Sequence, residues 1–275
     1  MSSNGRPKSS NMPLTNKICV VAYTYILPQL GEDVNTEQRI VIVTGAESGI
    51  GDAVVELMLK DNCKVIGVDL IQNGSTDLDN PDYKFIQTDL TDLKKVDELF
   101  DYIKSIYGRI DILLNCAGIT SLDGINEIIS EKWDEMLDVN LKAVFFCCQN
   151  ALKIMTKQKH GKIVNISSNA GVGGGKAVGI HYSTSKAGVI GLTKSLALYA
   201  ADYNINVNCV APGPTKTPMT DEWENEVNDR LKEIIPLKRF AAPKEVAEAI
   251  EFLASDKSDF ITGETLNVNG GLLMN

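Results

Sequence analysis

Short β-branched runs alternate along the chain with longer stretches whose apolar positions recur every three to four residues. Arg39 to Val43 (RIVIV), Lys64 to Val68, Tyr83 to Gln87, Asp111 to Leu114, Lys162 to Ile166, Asn206 to Val210 and Thr265 to Val268 read as strands. The first is apolar without alternation, as expected of a strand covered on both faces of a parallel sheet. Asp52 to Lys60, Thr91 to Tyr107, Glu131 to Lys157, Ala187 to Ala201 and Pro243 to Ser255 carry helical periodicity. In the second of these, Leu93, Val96, Leu99, Phe100 and Ile103 make one apolar face, which is core rather than a site. The order strand, helix, strand predicts an α/β fold: one doubly wound parallel sheet with right-handed crossovers, in three α/β/α layers.

Other stretches depart from this rhythm. The first 38 residues form an extension. Met1 to Leu14 is rich in Ser, Asn and Pro and is expected to be disordered, and Gly31 to Gln38 reads as a linker. Between them Ile18 to Leu27 (ICVVAYTYIL) is too short to span a bilayer and lacks a clear cleavage site. An added strand or packing segment is preferred over a targeting signal, so a cytoplasmic location is expected. Within the helix Glu131 to Lys157, Ala143 to Cys148 (AVFFCC) is apolar all round, which predicts burial, against a second subunit or the core. Asn169 to Gly179 has five glycines and reads as a flexible loop. Met219 to Ile235 is polar and acidic, the middle of a predicted movable lid over about residues 215–238. No internal repeat or second domain is found, so 39–275 is one domain.

A net charge of −9, from 27 Lys+Arg against 36 Asp+Glu, argues against nucleic acid or an anionic membrane as a partner. The six cysteines include no Cys-x-x-Cys pair, so reduced thiols are expected. With only His160 and His181 a histidine-rich metal site is excluded, and no metal is expected.

The candidate chemistry sits where strands end. After the first strand come Thr44, Gly45, Ala46, Glu47, Ser48, Gly49, Ile50 and Gly51, then a helix, the Rossmann-type context in which glycines let backbone approach a phosphate at a helix N-terminus. Asp69 ends the second strand, about 20 residues beyond the glycine turn, where a carboxylate would hold an adenosine ribose. Asp69 and Glu47 would both repel a 2′-phosphate, and no arginine lies in the loop or beside Asp69, which predicts NAD over NADP. Asp89-Leu90 and Asn115-Cys116-Ala117-Gly118 follow the third and fourth strands, and Pro212-Gly213-Pro214-Thr215-Lys216-Thr217 the sixth. Asn140, among apolar neighbours, is either a structural hydrogen-bonder or part of a polar relay. Ser167-Ser168 ends the fifth strand. Tyr182 and Lys186, four apart, share a helix face, where the ammonium would pull the phenol's pKa down and make it an acid/base for an alcohol oxygen.

Together these residues resemble the short-chain dehydrogenase/reductase (SDR) family over about Arg39 to Leu272, on Thr44-Gly45-x-x-x-Gly49-x-Gly51, Asn115-Cys116-Ala117-Gly118, Tyr182-x-x-x-Lys186 and the Pro212-Gly213 loop. Cys116 and Asn269 depart from the family's usual Asn and Asp. The resemblance implies Tyr182 as the acid/base, Lys186 as its modulator and a holder of the nicotinamide ribose, Ser168 on the substrate oxygen and Asn140 in a proton relay. It further implies that Asp89 and Leu90 meet the adenine, that Asn115 lines the cofactor path, and that Thr215 and Thr217 hold the nicotinamide end. A homo-oligomer, a tetramer, is expected on the same ground. Within the family the pattern, including Pro236-Leu237-Lys238-Arg239-Phe240, is similar to the 3-oxoacyl-carrier-protein reductase-like branch. The acidic lid argues against an acidic carrier protein, so the expected substrate is a small polyol, sugar-derived molecule or hydroxy acid, oxidised with NAD. A 3-oxoacyl-carrier-protein reductase-like enzyme and a non-catalytic dinucleotide-sensing protein are the rival readings.

Overall fold

The computed structural model describes residues 38–72, 79–221, 223 and 225–274. Except for Gln38, the predicted N-terminal extension lies outside the described residues. Seven strands, β1 (Ile40–Thr44), β2 (Lys64–Asp69), β3 (Tyr83–Gln87), β4 (Ile112–Asn115), β5 (Gly161–Ile166), β6 (Ile205–Pro212) and β7 (Thr265–Val268), form one parallel sheet in the order 3-2-1-4-5-6-7. The chain starts at the middle of the sheet and winds out to both edges. Between β1 and β4 the direction of winding reverses, with Thr44 opposite Asn115 at the carboxyl ends. In sheets of this kind a ligand crevice opens at that reversal.

The unbroken apolar character of β1 follows from its surroundings. Ile40 and Ile42 pack on one side with Ile66, Leu113 and Ile163. Val41 and Val43 pack on the other with Val65, Ile112 and Val164. Successive residues of a strand point to opposite faces, so two cores demand apolar side chains at every position. Each such side chain stabilises the fold by roughly 1.5–3 kcal/mol. Helices α2 (Leu93–Tyr107), α4 (Ala143–Gln158) and α6 (Ile180–Ala200) cover the first face, and α1 (Gly49–Lys60) and α9 (Pro243–Ala254) cover the second. Helix α2 begins two residues later than its periodicity predicts, because the Asp92 side chain accepts from the backbone N–H groups of Lys94 and Lys95 and caps it.

Two expectations change. The predicted helix Glu131 to Lys157 is α3 (Ser130–Leu137) and α4 joined by one π turn, Asp138–Lys142, which carries Asn140. The glycine-rich stretch after Ser168 begins with a short helix, α5 (Asn169–Gly173), capped by the Ser168 hydroxyl. In the Ala143 to Cys148 run, Cys147 and Cys148 are buried but Phe145 faces outward. The predicted lid contains α7 (Pro218–Asp221) and α8 (Asn225–Ile234), and Ile235 behind it is buried in the fold. Among the described residues no helix is long and apolar enough to cross a membrane.

Candidate active site

The glycine loop turns at the carboxyl end of β1. Gly45 has a φ of 65° and lies so close to Ala117 that a Cβ would sit 2.7 Å from its backbone. A Cβ on Gly51 would sit 1.9 Å from the Gly45 carbonyl oxygen, so α1 can start this close to β1 only with a glycine there. Ser48 caps α1 by its backbone while its hydroxyl makes no capping bond, and it is exposed beside the helix N-terminus with Gly49 and Ile50. Free donors at a positive dipole end suit a pyrophosphate. On the strand alongside, Asp69 Oδ2 accepts from Glu47 N at 3.1 Å and Oδ1 from Leu70 N at 2.7 Å, which fixes the carboxylate's orientation.

The side chains of four predicted cofactor contacts make other contacts. The Glu47 carboxylate is buried beneath the loop, where the Tyr83 hydroxyl donates to it at 2.6 Å, so it does not face a 2′-phosphate. Asn115, the last residue of β4 and in register with Asn165, turns into the sheet floor and donates to Asn165 Oδ1 at 2.8 Å and Cys148 Sγ at 3.3 Å. Asp89 holds Thr91 through that residue's N–H (2.9 Å) and hydroxyl (2.7 Å), bonds that keep its pKa below the usual value, while Leu90 packs against the core. Ala117 N donates to Thr44 Oγ1 at 3.2 Å, tying the loop after β4 to β1.

The second cluster surrounds the carboxyl ends of β5 and β6. Ser167 donates to the Lys186 carbonyl at 2.7 Å, leaving Ser168 as the serine that faces Tyr182. Lys186 is buried and its Nζ donates to the Ile166 carbonyl at 3.0 Å, 6.0 Å from the centre of the Tyr182 ring. Asn140 is fully buried: Nδ2 donates to Ile119 O and Oδ1 accepts from Ile119 N, both at 2.9 Å, and Nδ2 also reaches Ser185 Oγ at 3.2 Å. It therefore clamps the backbone just beyond Gly118, where a Cβ would come within 3.1 Å of Asn140 Oδ1 and 3.2 Å of Lys186 Nζ. Thr215 and Thr217 close the ring, and a Cβ on Gly49 would touch the Thr217 methyl at 3.0 Å, so this loop packs on the glycine loop. Ile50, Gly118, Ser168, Tyr182, Lys186, Pro212, Gly213, Thr215 and Thr217 all line one cavity of about 370 Å³.

The electrostatics correct one expectation. Burial raises the Tyr182 phenol above its ordinary range, and the bond with Ser168 only partly opposes it. The same burial lowers Lys186 to about 8. The helix spacing places the two on one face, with the ammonium 6.0 Å from the ring centre and bonded to a carbonyl, and burial remains the largest influence on the phenol. Cys116, on the cavity wall, is pushed up to about 12 by burial and stays a thiol. Lys186 is charged below about pH 8 and neutral above it. Fluorescence titration should accordingly show NADH affinity falling as pH rises from about 7 to about 9, and Lys186→Met should flatten that dependence.

Sequence reasoning missed several contributors. Leu272 and Leu273 close the far wall of the cavity, and no spacing or motif marks them. Ile119 acts through its backbone. Tyr83 reads only as the start of a strand, although a lone hydroxyl at a strand end predicted to be buried invites the question of its partner.

Comparison with known proteins follows the same lines. The family model described as enoyl-(acyl carrier protein) reductase matches residues 45–273. The chain belongs to the short-chain dehydrogenase/reductase family. It is 38% identical over 244 residues to the 3-oxoacyl-[acyl-carrier-protein] reductase of Thermotoga maritima, covering 86% of this chain and 99% of that one. It is 39% identical over 249 residues to an acetoacetyl-CoA reductase of an Acinetobacter strain, covering 87% and 99%. Among solved structures it is similar to ElxO with NADP bound, at TM-score 0.79 and 34% identity, covering 86% and 98%. This SDR is thus an oxidoreductase with a site for a nicotinamide dinucleotide, and the glycine cradle, the uncapped Ser48 hydroxyl and the Thr215–Thr217 loop fit that group.

Proposed function

We propose that this SDR interconverts a ketone and a secondary alcohol on a 3-oxoacyl or 3-hydroxyacyl group carried by a small thioester, with NAD(H). The observation that carries this reading is the Ser168–Tyr182 pair opening onto a wall made by Val178, Met219, Trp223, Leu231, Leu272 and Leu273. An alkyl chain gains about 25 cal/mol for each Å² it buries there. A polyol would instead bring hydroxyl groups that these apolar side chains cannot pair, leaving Thr120, Asn169, Lys176 and Thr220 to meet them. The small polyol, sugar-derived or hydroxy-acid substrate expected from the lid's charge and the NAD preference therefore fits less well than an acyl chain. The relatives named as 3-oxoacyl-carrier-protein and acetoacetyl-CoA reductases support the same class.

The roles divide as follows. The nicotinamide, when bound, supplies or accepts the hydride. Tyr182 Oη gives its proton to the substrate oxygen during reduction and takes it back during oxidation. Because burial keeps the phenol protonated, its resting state suits reduction. Ser168 Oγ hydrogen-bonds the same oxygen and holds it against Tyr182. Lys186, charged near neutral pH, steadies the phenolate that forms as the proton leaves. Asn140 is a positioning residue that fixes Ile119 and Gly118 against Lys186. Asp69, its carboxylate held by two backbone N–H groups, supports NAD(H) over NADP(H), since a 2′-phosphate there would meet a negative charge.

Initial rates with acetoacetyl-CoA, a carrier-protein-linked 3-oxoacyl chain and a polyol panel, each with both cofactors, test this. The highest kcat/KM is expected for acetoacetyl-CoA with NADH. Faster turnover of a polyol would overturn the substrate, and faster turnover with NADPH would overturn the cofactor.

A further inference from the structure

Of the hydroxyl groups on the described residues that line the cavity, one stands apart. Ser167 donates to the Lys186 carbonyl, Thr215 to Gly213 O at 3.0 Å, Thr217 to Thr215 O at 3.5 Å and Thr220 to Thr215 O at 2.8 Å. Ser168 caps α5 and faces Tyr182. The Thr120 hydroxyl is shielded from solvent and has no hydrogen-bond partner. A shielded polar group without a partner is costly, so its presence asks for a reason. Its place is fixed from both sides. Asn140 holds the preceding residue, Ile119, by its N–H and its carbonyl, both at 2.9 Å. The following residue, Ser121, accepts through its carbonyl from Gly179 N at 2.7 Å, and Gly179 caps α6, the helix of Tyr182 and Lys186. Two residues back is Gly118, where a Cβ would come within 3.2 Å of Lys186 Nζ. Two residues of chain reach at most about 7 Å, so the Thr120 backbone stays close to the reacting centre.

We infer that Thr120 is a specificity-determining residue whose hydroxyl donates to a second substrate oxygen, the one on C1 of a 3-oxoacyl thioester, while Ser168 and Tyr182 hold the oxygen on C3. This rests on the proposed 3-oxoacyl substrate and adds the residue that reads the other end of its reacting unit. A 1,3-dicarbonyl unit carries two acceptor oxygens on carbons separated by one methylene. Ser168 and Tyr182 serve the first, and one held, unpaired hydroxyl on the same cavity suits the second. Two anchors on so short a unit fix which face of C3 is presented for hydride transfer, and they leave the alkyl end to the apolar wall. A ketone without the second oxygen would leave Thr120 unpaired. Sites built to hydrogen-bond a group discriminate strongly against analogues that lack it.

Acetoacetyl-CoA and its thioether analogue S-(3-oxobutyl)-CoA share the ketone and the carrier and differ at C1, where the analogue has a methylene in place of the carbonyl. Reduction of both should be followed for the full chain, for Thr120→Val, which removes the hydroxyl, and for Thr120→Ser, which keeps it. An NADH dissociation constant and a melting temperature accompany each. Thr120→Val should lower kcat/KM for acetoacetyl-CoA by about tenfold, the upper range of one hydrogen bond, and leave the analogue within about twofold. Thr120→Ser should stay within about threefold on acetoacetyl-CoA, and NADH affinity should stay within about twofold in both variants. Where the analogue turns over too slowly to follow, its inhibition constant against acetoacetyl-CoA takes the place of the rate, with the same expected split. Equal losses on the two compounds, no loss on either, or weakened NADH binding would overturn the inference, because the hydroxyl would then serve the loop or the cofactor. If the unaltered protein does not reduce acetoacetyl-CoA, the substrate reading fails and takes the inference with it. If it does, and Thr120→Val fails to separate the two compounds, the inference fails alone. Should Thr120→Val fold poorly, Thr120→Ala carries the same expectation, and an unseparated pair there would overturn the inference equally.

Discussion

Tyr182→Phe should lower kcat by about a thousandfold, within the range that general acid–base groups supply, and leave the NADH dissociation constant within about twofold. The reason lies in what remains after the hydroxyl is removed. Ser168 Oγ already accepts from Ala170 N at 3.1 Å as the cap of α5, and a neutral serine is a poor acid. Lys186 Nζ is bonded to the Ile166 carbonyl and lies 6.0 Å from the centre of the Tyr182 ring, beside the phenol. No other described group replaces the phenol. The phenylalanine ring keeps the packing, so binding and folding should survive. Single-turnover rates beside a binding titration check the split. Near-normal turnover would show that the proton travels by another route and would end the reading of this site.

Gly51→Ala should have the second large effect, on binding and stability together. The new methyl would sit 1.9 Å from the Gly45 carbonyl oxygen and 2.7 Å from its carbon, both backbone, so neither can rotate away. The loop or the first turn of α1 must move. Overpacking of this kind costs about 3 kcal/mol, a fall in melting temperature of roughly 6–12 °C for a chain of this size. Moving the same N–H groups that face a pyrophosphate should weaken NADH by more than about a hundredfold. Gly108→Ala is the control: unlike Gly51 it has a positive φ, 69°, but a Cβ there meets nothing within 4 Å. It should cost about 1 kcal/mol and leave NADH binding alone.

Much of this architecture was legible because local patterns and global fold agree. The run Arg39 to Val43 could only suit a strand with apolar layers on both sides, and two cores meet there. The glycines of the first turn announced close backbone contacts, which Gly45 and Gly51 make. What could not be read was side-chain direction and distance. Tyr182 and Lys186 have the right spacing for one face, yet spacing does not say that Lys186 turns to the Ile166 carbonyl. Asn115 stands in a loop-like motif but belongs to the last position of β4, whose pleat points it into the floor. The π turn at Asp138–Lys142 is invisible to periodicity, since one wider turn hardly changes which residues are apolar. Helix α5 forms despite glycines of low propensity because its contacts with α6 and the Ser168 cap outweigh that preference. The Tyr83–Glu47 contact joins residues 36 apart on different elements, beyond any local rule.

The strand order has a wider consequence. Because the sheet begins at its centre, the residues proposed for the adenosine end lie before Ile119, and those proposed to handle the alcohol lie after it. The two halves meet where β4 pairs with β5, where α1 packs on α9 and α2 on α4, and where Gly49 meets the Thr217 methyl. A gene built this way is modular at one junction: a lineage can rewrite what it oxidises or reduces by changing its second half, while inheriting an unaltered handle for the redox carrier.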